Sequence, residues 1–259
     1  MAITPADGSH KAKPDRGVTV LATAGKITNV SVTSNGKTLA GSLNTARTRW
    51  RTTEPLVTGT HYSVTATAKA ADGKTVTRTS TFRTLTPGAT YSVATIEAYK
   101  QTYGVGMPIM LEFSQPVEGK YRARIERAIQ LTSSKPVVGA WYWDGDQTLL
   151  FRPRNYWPQN TNVSFDGHFS GVEIAPGVYG SADLTQTFHI GWSLIAVAST
   201  RTHYMHVYYK HKLLGNWAIS TGRPGDDTAN GTYLTIEKGN PTRMKGNGYN
   251  VLVPYAVRF

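Results

Sequence analysis

Short runs of alternating apolar and polar residues, separated by turns, fill the chain from Gly17 onward. A period of two is typical of strands that bury one face. The first group of predicted strands comprises residues 18–21, 27–32, 38–43, 48–52, 61–68 and 76–83. Between them, Asn35-Gly36 and Asp72-Gly73 are strong signals for two-residue hairpin turns. This pattern predicts a small immunoglobulin-like β-sandwich.

The same alternation recurs after Pro87-Gly88, which is a natural domain boundary. Residues 121–129 interrupt it, because Ile125, Ala128 and Ile129 recur at helical spacing and predict one short helix. The predicted strands of this second group are residues 91–97, 110–113, 138–143, 148–152, 162–165 and 184–190. We therefore predict a second sandwich that ends near Gly191.

The two predicted sandwiches are related by an internal repeat with an offset of 101 residues. The matched pairs are Trp50 with Phe151, Leu56 with Trp157, Thr60 with Thr161, Tyr62 with Val163 and Val64 with Phe165. Since most of these positions carry large apolar side chains, the repeat predicts that equivalent core positions are filled in both sandwiches.

The sequence pattern changes at Trp192. Strands are predicted at residues 192–199, 202–209, 213–219 and 232–236, and a further run covers residues 251–259. The segment from Ser220 to Tyr233 is rich in Gly, Pro, Asp and Asn, which is typical of a long turn. His203 and His206 stand at an odd spacing that places them on opposite faces of a strand, so we expect no metal site there.

Composition narrows the function classes. The chain has no cysteine, which excludes disulfides, thiolate metal sites and a cysteine nucleophile within these residues. Lys and Arg outnumber Asp and Glu by 28 to 16, a formal charge of +12 that favours an anionic partner. Because no nucleic-acid module or focused basic patch is evident, we favour an anionic wall polymer over nucleic acid.

No apolar run reaches membrane-spanning length. Residues 1–16 show no periodicity, which predicts a flexible entry segment.

One aromatic cluster invites a carbohydrate-binding interpretation: Trp141-Tyr142-Trp143 together with Tyr156-Trp157. The alternative is that alternate members pack inside the second sandwich and that Trp157 anchors the turn before a strand. We favour packing, because large aromatic side chains usually serve the core.

Four motifs follow one another after Trp192. They are Thr-Arg-Thr-His-Tyr-Met-His-Val at 200–207, Thr-Gly-Arg-Pro-Gly at 221–225, Asn-Gly-Thr-Tyr at 230–233 with Glu237-Lys238, and Tyr-Ala-Val-Arg-Phe at 255–259. In this order they resemble the opening part of the catalytic domain of L,D-transpeptidases, which make alternative cross-links in bacterial peptidoglycan. The second sandwich carries matching motifs of the actinobacterial members at 104–109, 156–158 and 177–180.

The resemblance implies an all-β chain: two tandem immunoglobulin-like β-sandwiches followed by the first part of a mostly-β catalytic domain. The implied boundaries are residues 17–86, 87–191 and 192–259. In the family a cysteine thiolate, activated by a histidine, attacks a carbonyl of a tetrapeptide stem and passes the acyl group to an amine on a neighbouring stem. The Ser-His-Gly-Cys motif that supplies this cysteine is expected beyond Phe259, so no catalytic residue is assigned and this chain is predicted to be inactive.

The family also folds a lid over its cleft, which makes Met244, Tyr249 and Tyr255 candidate substrate contacts; the alternative is that they pack the lid onto its own domain. The implied partners are peptidoglycan stem peptides and anionic wall polymers, without nucleic acid or a cofactor, in an extracytoplasmic location. Residues 192–259 alone are expected to lack partner strands and to expose sheet edges. The alternative function is a non-catalytic wall-binding or scaffold protein.

Overall fold

The computed structural model describes residues 1–97, 100–223, 225, 227–246 and 248–259. Contacts divide the chain into two units, described separately below. The first contains residues 1–101, 108–154 and 162–189, and the second contains residues 102–107, 155–161 and 190–259. Strands dominate throughout, which confirms the predicted all-β class.

Two four-stranded sheets form the first sandwich within the first unit. One has the order β1-β2-β6-β5, from β1 (Ala2–Thr4), β2 (Thr19–Leu21), β5 (Gly41–Leu43) and β6 (Arg49–Thr52). The other has the order β4-β3-β7-β8, from β3 (Lys26–Ser34), β4 (Lys37–Thr38), β7 (His61–Lys69) and β8 (Thr75–Arg83). Inward residues of both sheets form one core with Leu56 from the loop after β6; they include Ile27, Val32, Trp50, Tyr62 and Val64.

The two predicted hairpin turns differ in the structure. Asn35 and Gly36 both have positive φ, 48° and 75°, and they join Ser34 directly to Lys37. This geometry matches a two-residue type I′ turn and confirms the prediction. Asp72-Gly73 instead lies in a longer loop, in which Ala70 N donates to Lys74 O at 2.8 Å. The two-residue prediction is wrong there, because Asp72 Oδ1 accepts from Lys74 N and shapes a wider turn.

Residues 1–16 are structured, unlike the flexible segment predicted for them. β1 pairs with β2. Residues 8–12 then follow the edge strand β8, with Gly8 N donating to Thr81 O at 2.8 Å and Arg83 N to Ser9 O at 2.7 Å. Asp7 accepts hydrogen bonds from the backbone and side chain of Thr81, which lower the pKa of its carboxyl. An open sheet edge can recruit a segment that shows no periodicity of its own, because the backbone supplies the bonds.

The second sandwich, also in the first unit, repeats this plan. One sheet has the order β10-β12-β15-β14, from β10 (Val93–Thr95), β12 (Ile109–Phe113), β14 (Gly139–Asp144) and β15 (Thr148–Pro153). The other contains, as neighbours, β13 (Ile129–Ser133), β16 (Thr161–Gly167) and β19 (Leu184–Ile190). A small sheet adds β9 (Ala89–Tyr91), β17 (Glu173–Ala175) and β18 (Val178–Gly180). The helix predicted at 121–129 is α1 (Gly119–Arg127), which buries Tyr121 and Ile125; Ile129 lies outside it and begins β13.

Strand order supports the internal repeat. β10, β12, β15 and β14 are arranged as β1, β2, β6 and β5, and β13, β16 and β19 as β3, β7 and β8. Each of the five residue pairs matched by sequence contains at least one buried member, and four pairs are buried on both sides. The repeat therefore corresponds to equivalent core positions.

The two sandwiches touch directly inside the first unit. A Cβ atom placed on Gly171, whose φ is +74°, would lie 2.0 Å from Leu56 O and 2.9 Å from Pro14 Cβ. Beside this contact, Arg124 Nη1 lies 2.5 Å from Asp15 Oδ2 and 3.5 Å from Glu173 Oε2. Both carboxylates are more than nine-tenths buried. Because Asp15 belongs to the first sandwich and Glu173 to the second, one guanidinium from α1 pairs with acidic groups of both sandwiches.

The second unit contains mostly short strands. β11 (Thr102–Tyr103) comes from its first segment. A three-stranded sheet has the order β20-β21-β22, from β20 (Leu194–Ser199), β21 (Tyr204–Tyr209) and β22 (Lys212–Ala218). Two pairs follow: β23 (Glu237–Gly239) with β26 (Ala256–Arg258), and β24 (Thr242–Gly246) with β25 (Tyr249–Val253).

Candidate functional site

The turn between β20 and β21 connects two of the motifs noted in the sequence. His203, in this turn with a φ of 54°, accepts at its carbonyl oxygen a hydrogen bond from Ile219 N at 2.9 Å. Its Nδ1 lies 3.3 Å from Thr221 Oγ1. The motif at 200–207 thus holds the start of the Gly-rich segment at 220–225, a contact that sequence spacing alone does not reveal.

The two histidines do not share a strand, contrary to the prediction. His203 precedes β21 because its left-handed backbone closes the turn, whereas His206 lies within β21 opposite Val197 and Asn216. Within the residues that the structure describes, no group of three or more His, Cys, Asp or Glu side chains is arranged to hold a metal ion.

The Gly-rich segment is a long irregular connection. Thr228 N donates to Thr221 O at 3.0 Å and closes it, while Gly222 and Gly225 have φ of 99° and 89°. Two of its residues, Pro224 and Asp226, lie outside the described residues. The bond between Thr228 and Thr221 closes the segment on itself, in agreement with the long turn predicted from the sequence.

The strand predicted at 232–236 is wrong. The chain is irregular there, and the strand begins at Glu237. Within the described residues, one backbone group of this segment bonds to another strand: Ile236 N donates to Arg258 O at 2.8 Å. Tyr233 instead turns back, with its hydroxyl donating to Ala229 O at 2.7 Å and its ring in edge contact with Phe259 at 5.2 Å. In residues 232–236, side-chain contacts of Tyr233 therefore take the place of the hydrogen bonds of a β-ladder.

The three lid candidates lie on the β24–β25 hairpin and the turn after it. Met244 pairs with Val251, and Tyr249 pairs with Gly246, so Met244 and Tyr249 share one face. The Tyr249 ring covers Gly246, where a Cβ atom would lie 2.4 Å from it. Tyr255, with a φ of 51°, is held through its backbone N by Asn240 Oδ1 at 3.2 Å. Asn247 lies outside the described residues.

Exposure distinguishes these candidates from core residues. Met244 is 46%, Tyr249 51% and Tyr255 81% exposed. The opposite face of the hairpin is more polar, and Arg243 Nη1 donates there to Asn250 Oδ1 at 2.9 Å. The hairpin therefore offers one apolar face that an extended ligand could contact.

Apolar exposure extends through the whole of residues 192–259. None of the buried apolar side chains lies in this range among the described residues, whereas the sandwiches contain many. On the β20–β22 sheet the indole of Trp217 covers Gly215 and is still 49% exposed. The large apolar side chains exposed here are Trp192, Leu194, Val197, Tyr204, Tyr209, Leu213, Leu214, Trp217, Tyr233, Leu234, Ile236, Met244, Tyr249, Val251, Leu252, Tyr255, Val257 and Phe259.

The aromatic cluster divides between packing and exposure. Trp141 contacts Phe151, and Trp143 contacts Phe113 and donates from Nε1 to Glu126 Oε1 at 2.9 Å. Between these two tryptophans, Tyr142 is 66% exposed. This alternation is the packing arrangement that the sequence favoured.

In the second unit, Trp157 is 2% exposed and its Nε1 donates to Met107 O. Its neighbour Tyr156 is 45% exposed and lines a pocket of about 210 Å³. Gln159 and His211 also line that pocket and hydrogen-bond to each other there. Sequence reasoning missed this pair, because the two residues are 52 positions apart.

These exposed side chains can contact a ligand, but they supply no thiolate nucleophile, since the chain has no cysteine. In the described part, no helix combines the length and hydropathy that crossing a membrane requires.

Comparison with known proteins identifies the first part of the chain. A family described as bacterial Ig domain matches residues 9–173. The chain belongs to this bacterial Ig-domain family. Its match begins near Ser9 and spans most of both sandwiches, in agreement with the two related folds of the first unit.

The similarity of this Ig-domain chain to L,D-transpeptidases, expected from its motifs, is confirmed. It is 30% identical to L,D-transpeptidase 2 of Mycobacterium tuberculosis over 95% of the chain, and 30% identical to L,D-transpeptidase 5 of the same species over 92%. These alignments cover 60% and 54% of the two relatives, so the chain spans little more than half of their length. A solved L,D-transpeptidase in complex with imipenem matches with a TM-score of 0.52 and 27% identity, covering 67% of this chain and 76% of that one.

Proposed function

We propose that this chain forms the spacer domains and the first part of the catalytic domain of a peptidoglycan L,D-transpeptidase. The observation that carries the proposal is the similarity to two proteins of that name, which extends beyond the Ig domains into residues 192–259. Residues 17–86 and 87–191 are assigned to the two spacers, and residues 192–259 to the catalytic domain. The location is extracytoplasmic, at the cell wall.

The proposed chemistry is acyl transfer between stem peptides. A cysteine thiolate attacks the stem carbonyl, the terminal D-alanine leaves, and an amine of a second stem accepts the acyl group. Since these 259 residues contain no cysteine, the proposal places that residue and its histidine base beyond Phe259 and predicts no transfer by the chain as given. It requires no cofactor.

Exposed apolar surface supports the assignment of residues 192–259. An isolated folded region normally buries its large apolar side chains, and patches beyond a few hundred Å² usually mark an interaction site. Trp217, Leu213 and Val251 are each about half exposed. We assign this surface to packing against the rest of the catalytic domain.

The lid candidates receive a role in the same proposal. Met244, Tyr249 and Tyr255 offer exposed side chains close to the Gly-rich segment in sequence, and Met244 shares a hairpin face with Tyr249. We assign them to contact with the stem peptide, which is extended and has apolar alanine side chains.

The reading frame after Phe259 provides the test. We expect a Ser-His-Gly-Cys segment within about one further domain length of 100–150 residues. The extended protein, incubated with tetrapeptide stems, should release D-alanine and form cross-linked dimers detectable by mass spectrometry, and a Cys→Ala variant should form none. If the reading frame has no such segment, the enzyme proposal is wrong.

A second candidate is a non-catalytic wall-binding or scaffold protein. The formal charge of +12 favours it, because such a protein needs only an attraction to anionic polymer. In this case the chain should sediment with purified peptidoglycan at low ionic strength and be released by salt. Failure to sediment at low salt would exclude this role.

A further inference from the structure

The positive charge of the chain is concentrated in one of two similar folds. Residues 1–86 contain twelve Lys and Arg against four Asp and Glu, a formal +8. Residues 87–191 contain eight against nine, a formal −1, although the two sandwiches share one strand order. The fold therefore does not require the charge, and the first sandwich carries it for another reason.

Part of this charge forms a row on the outer face of β6. Arg49 and Arg51 flank the inward-facing Trp50 and are both exposed. Alternate residues of a strand lie about 7 Å apart on the same face. Arg51 Nη2 donates to Arg16 O at 3.3 Å, which brings a third exposed arginine beside the row.

Two further cations lie in the other sheet, at the end of the sandwich that Arg47 reaches. Lys26 and Lys69 are exposed and directly opposite each other in the β3–β7 ladder. Arg47 reaches the same end, because its Nε donates to Ile27 O at 3.3 Å and its backbone has a φ of 56°. Like charges opposite each other and a left-handed arginine both cost stability.

These six cations, which we name the basic band, are Arg16, Arg51, Arg49, Arg47, Lys26 and Lys69. Among the residues that the structure describes, none of the six lies within 4.0 Å of a carboxylate oxygen. A destabilising cluster of cations without acidic partners is the arrangement expected of a surface that binds an external anion.

We propose that the basic band binds a linear polymer that carries phosphodiester groups along its backbone. Arginine presents a planar fork of donors that matches phosphate oxygens, and the spacing along β6 allows successive guanidinium groups to contact successive phosphates. This inference locates the anionic partner on the first sandwich, and it does not depend on the proposed acyl transfer.

The surroundings favour a polymer without bases over a single-stranded nucleic acid. Proteins that bind single strands combine basic grooves with exposed aromatic rings on which bases stack. In the first sandwich the only Trp, Tyr and Phe residues are Trp50, Tyr62 and Phe82, and all three are buried. The band can therefore recognise phosphate but has no stacking platform.

Polyglycerol phosphate is the probe for the test, with its affinity for the whole chain measured at several salt concentrations. The band variant is Arg49→Gln with Arg51→Gln. The matched control is Arg152→Gln with Arg154→Gln: Arg152 lies in β15, the equivalent strand of the second sandwich, Arg154 follows directly after its end, and both are exposed. Both variants remove the same charge, and thermal unfolding verifies that both remain folded.

The band variant should weaken binding about tenfold or more at low salt and lower the slope of log affinity against log salt by about 2, because each of the two arginines neutralises one phosphate. The control should change affinity less than about twofold. Lys26→Gln with Lys69→Gln should also weaken binding, without loss of thermal stability.

Three results would overturn the proposal. Equal weakening by the band variant and the control would mean that net charge alone attracts the polymer. Absence of saturable binding at low salt would show that the basic band is not a binding site for this polymer. Tighter binding of a single-stranded oligonucleotide with the same number of phosphates would show that the assigned ligand class is wrong.

Discussion

The two sandwiches and residues 192–259 are built from similar alternating strands, yet they differ in what those strands bury. Within the described residues, every buried apolar side chain precedes Gly191, while 18 of the 25 large exposed ones follow it. In the sandwiches, two sheets face each other and share a core. The strands after Trp192 form hydrogen-bonded ladders without a buried apolar layer.

This difference shows that strand formation and core formation are separate requirements. Backbone pairing satisfies the N–H and C=O groups of β20 to β22, but burial of apolar surface supplies most of the stabilisation of a fold. The sandwiches are therefore expected to be stable by themselves, whereas residues 192–259 are expected to depend on further contacts.

The largest expected effect compares one aromatic residue from each region. Phe165→Ala should lower the free energy of unfolding of the sandwiches by about 3–5 kcal/mol, because this ring is 1% exposed and packs near Phe169. Trp217→Ala should change it by less than about 0.5 kcal/mol, since half of its indole is already in water. Urea unfolding followed by circular dichroism measures both, and equal decreases would contradict the comparison.

The next effect depends on pH. Glu97 is 3% exposed, and burial raises the pKa of its carboxyl to about 7. Because this pKa lies above the unfolded value, its contribution to stability is fully present below about pH 4.5 and is lost as pH rises through 7. Between these limits the free energy of unfolding should fall by up to about 3 kcal/mol.

Glu97→Gln should remove this pH dependence. Glutamine keeps the oxygen that accepts from Met110 N at 3.0 Å, and it carries no charge at any pH. Unfolding of both proteins is measured at pH 4.5 and 8. Parallel stabilities of the two proteins across that range would show that Glu97 is not buried in this way.

A smaller difference, between a glycine variant and its control, probes the contact between the sandwiches. Gly171→Ala adds a Cβ atom 2.0 Å from Leu56 O, so the backbone has to shift, at a cost of about 2–4 kcal/mol together with the left-handed strain. Gly177→Ala is the control, because its φ is similar at +77° but its Cβ meets open space. It should cost only about 1–2 kcal/mol. Equal costs in thermal unfolding would indicate that the contact is not tight.

The smallest effect on stability concerns the lid candidates. In the extended enzyme, Met244→Ala should raise the KM for stem peptides several-fold without changing unfolding, because its side chain is 46% exposed. Arg243→Ala, on the opposite face of the same strand, should leave KM unchanged. Steady-state kinetics measures both, and an equal rise in the two variants would remove Met244 from the substrate surface.

Local patterns predicted much of the fold. Alternation located most strands of both sandwiches, and helical spacing located α1 at Gly119–Arg127. It missed β13, whose first residue was assigned to the helix, the three-residue strands β17 and β18, and residues 1–16, which are held by the edge of β8. Short segments held by a neighbouring edge show little periodicity of their own, so a sequence pattern cannot identify them.

The site was less predictable for a related reason. Motif order identified the family resemblance but did not reveal that His203 contacts Thr221, nor that residues 232–236 are irregular. Both depend on which distant segments meet. The charge difference between the sandwiches, by contrast, can be counted in the sequence. Which surface carries the cations follows only from the positions of β6 and the β3–β7 ladder.

Hydrogen–deuterium exchange of the whole chain tests the central comparison most directly. Amides of β7 and β16, which flank buried cores, should exchange at the slow rate set by global unfolding. Amides of β21, the central strand of its sheet, should exchange much faster despite complete pairing, because no apolar layer resists local opening. Protection of β21 equal to that of β16 would contradict the account and show that residues 192–259 are stable without further contacts.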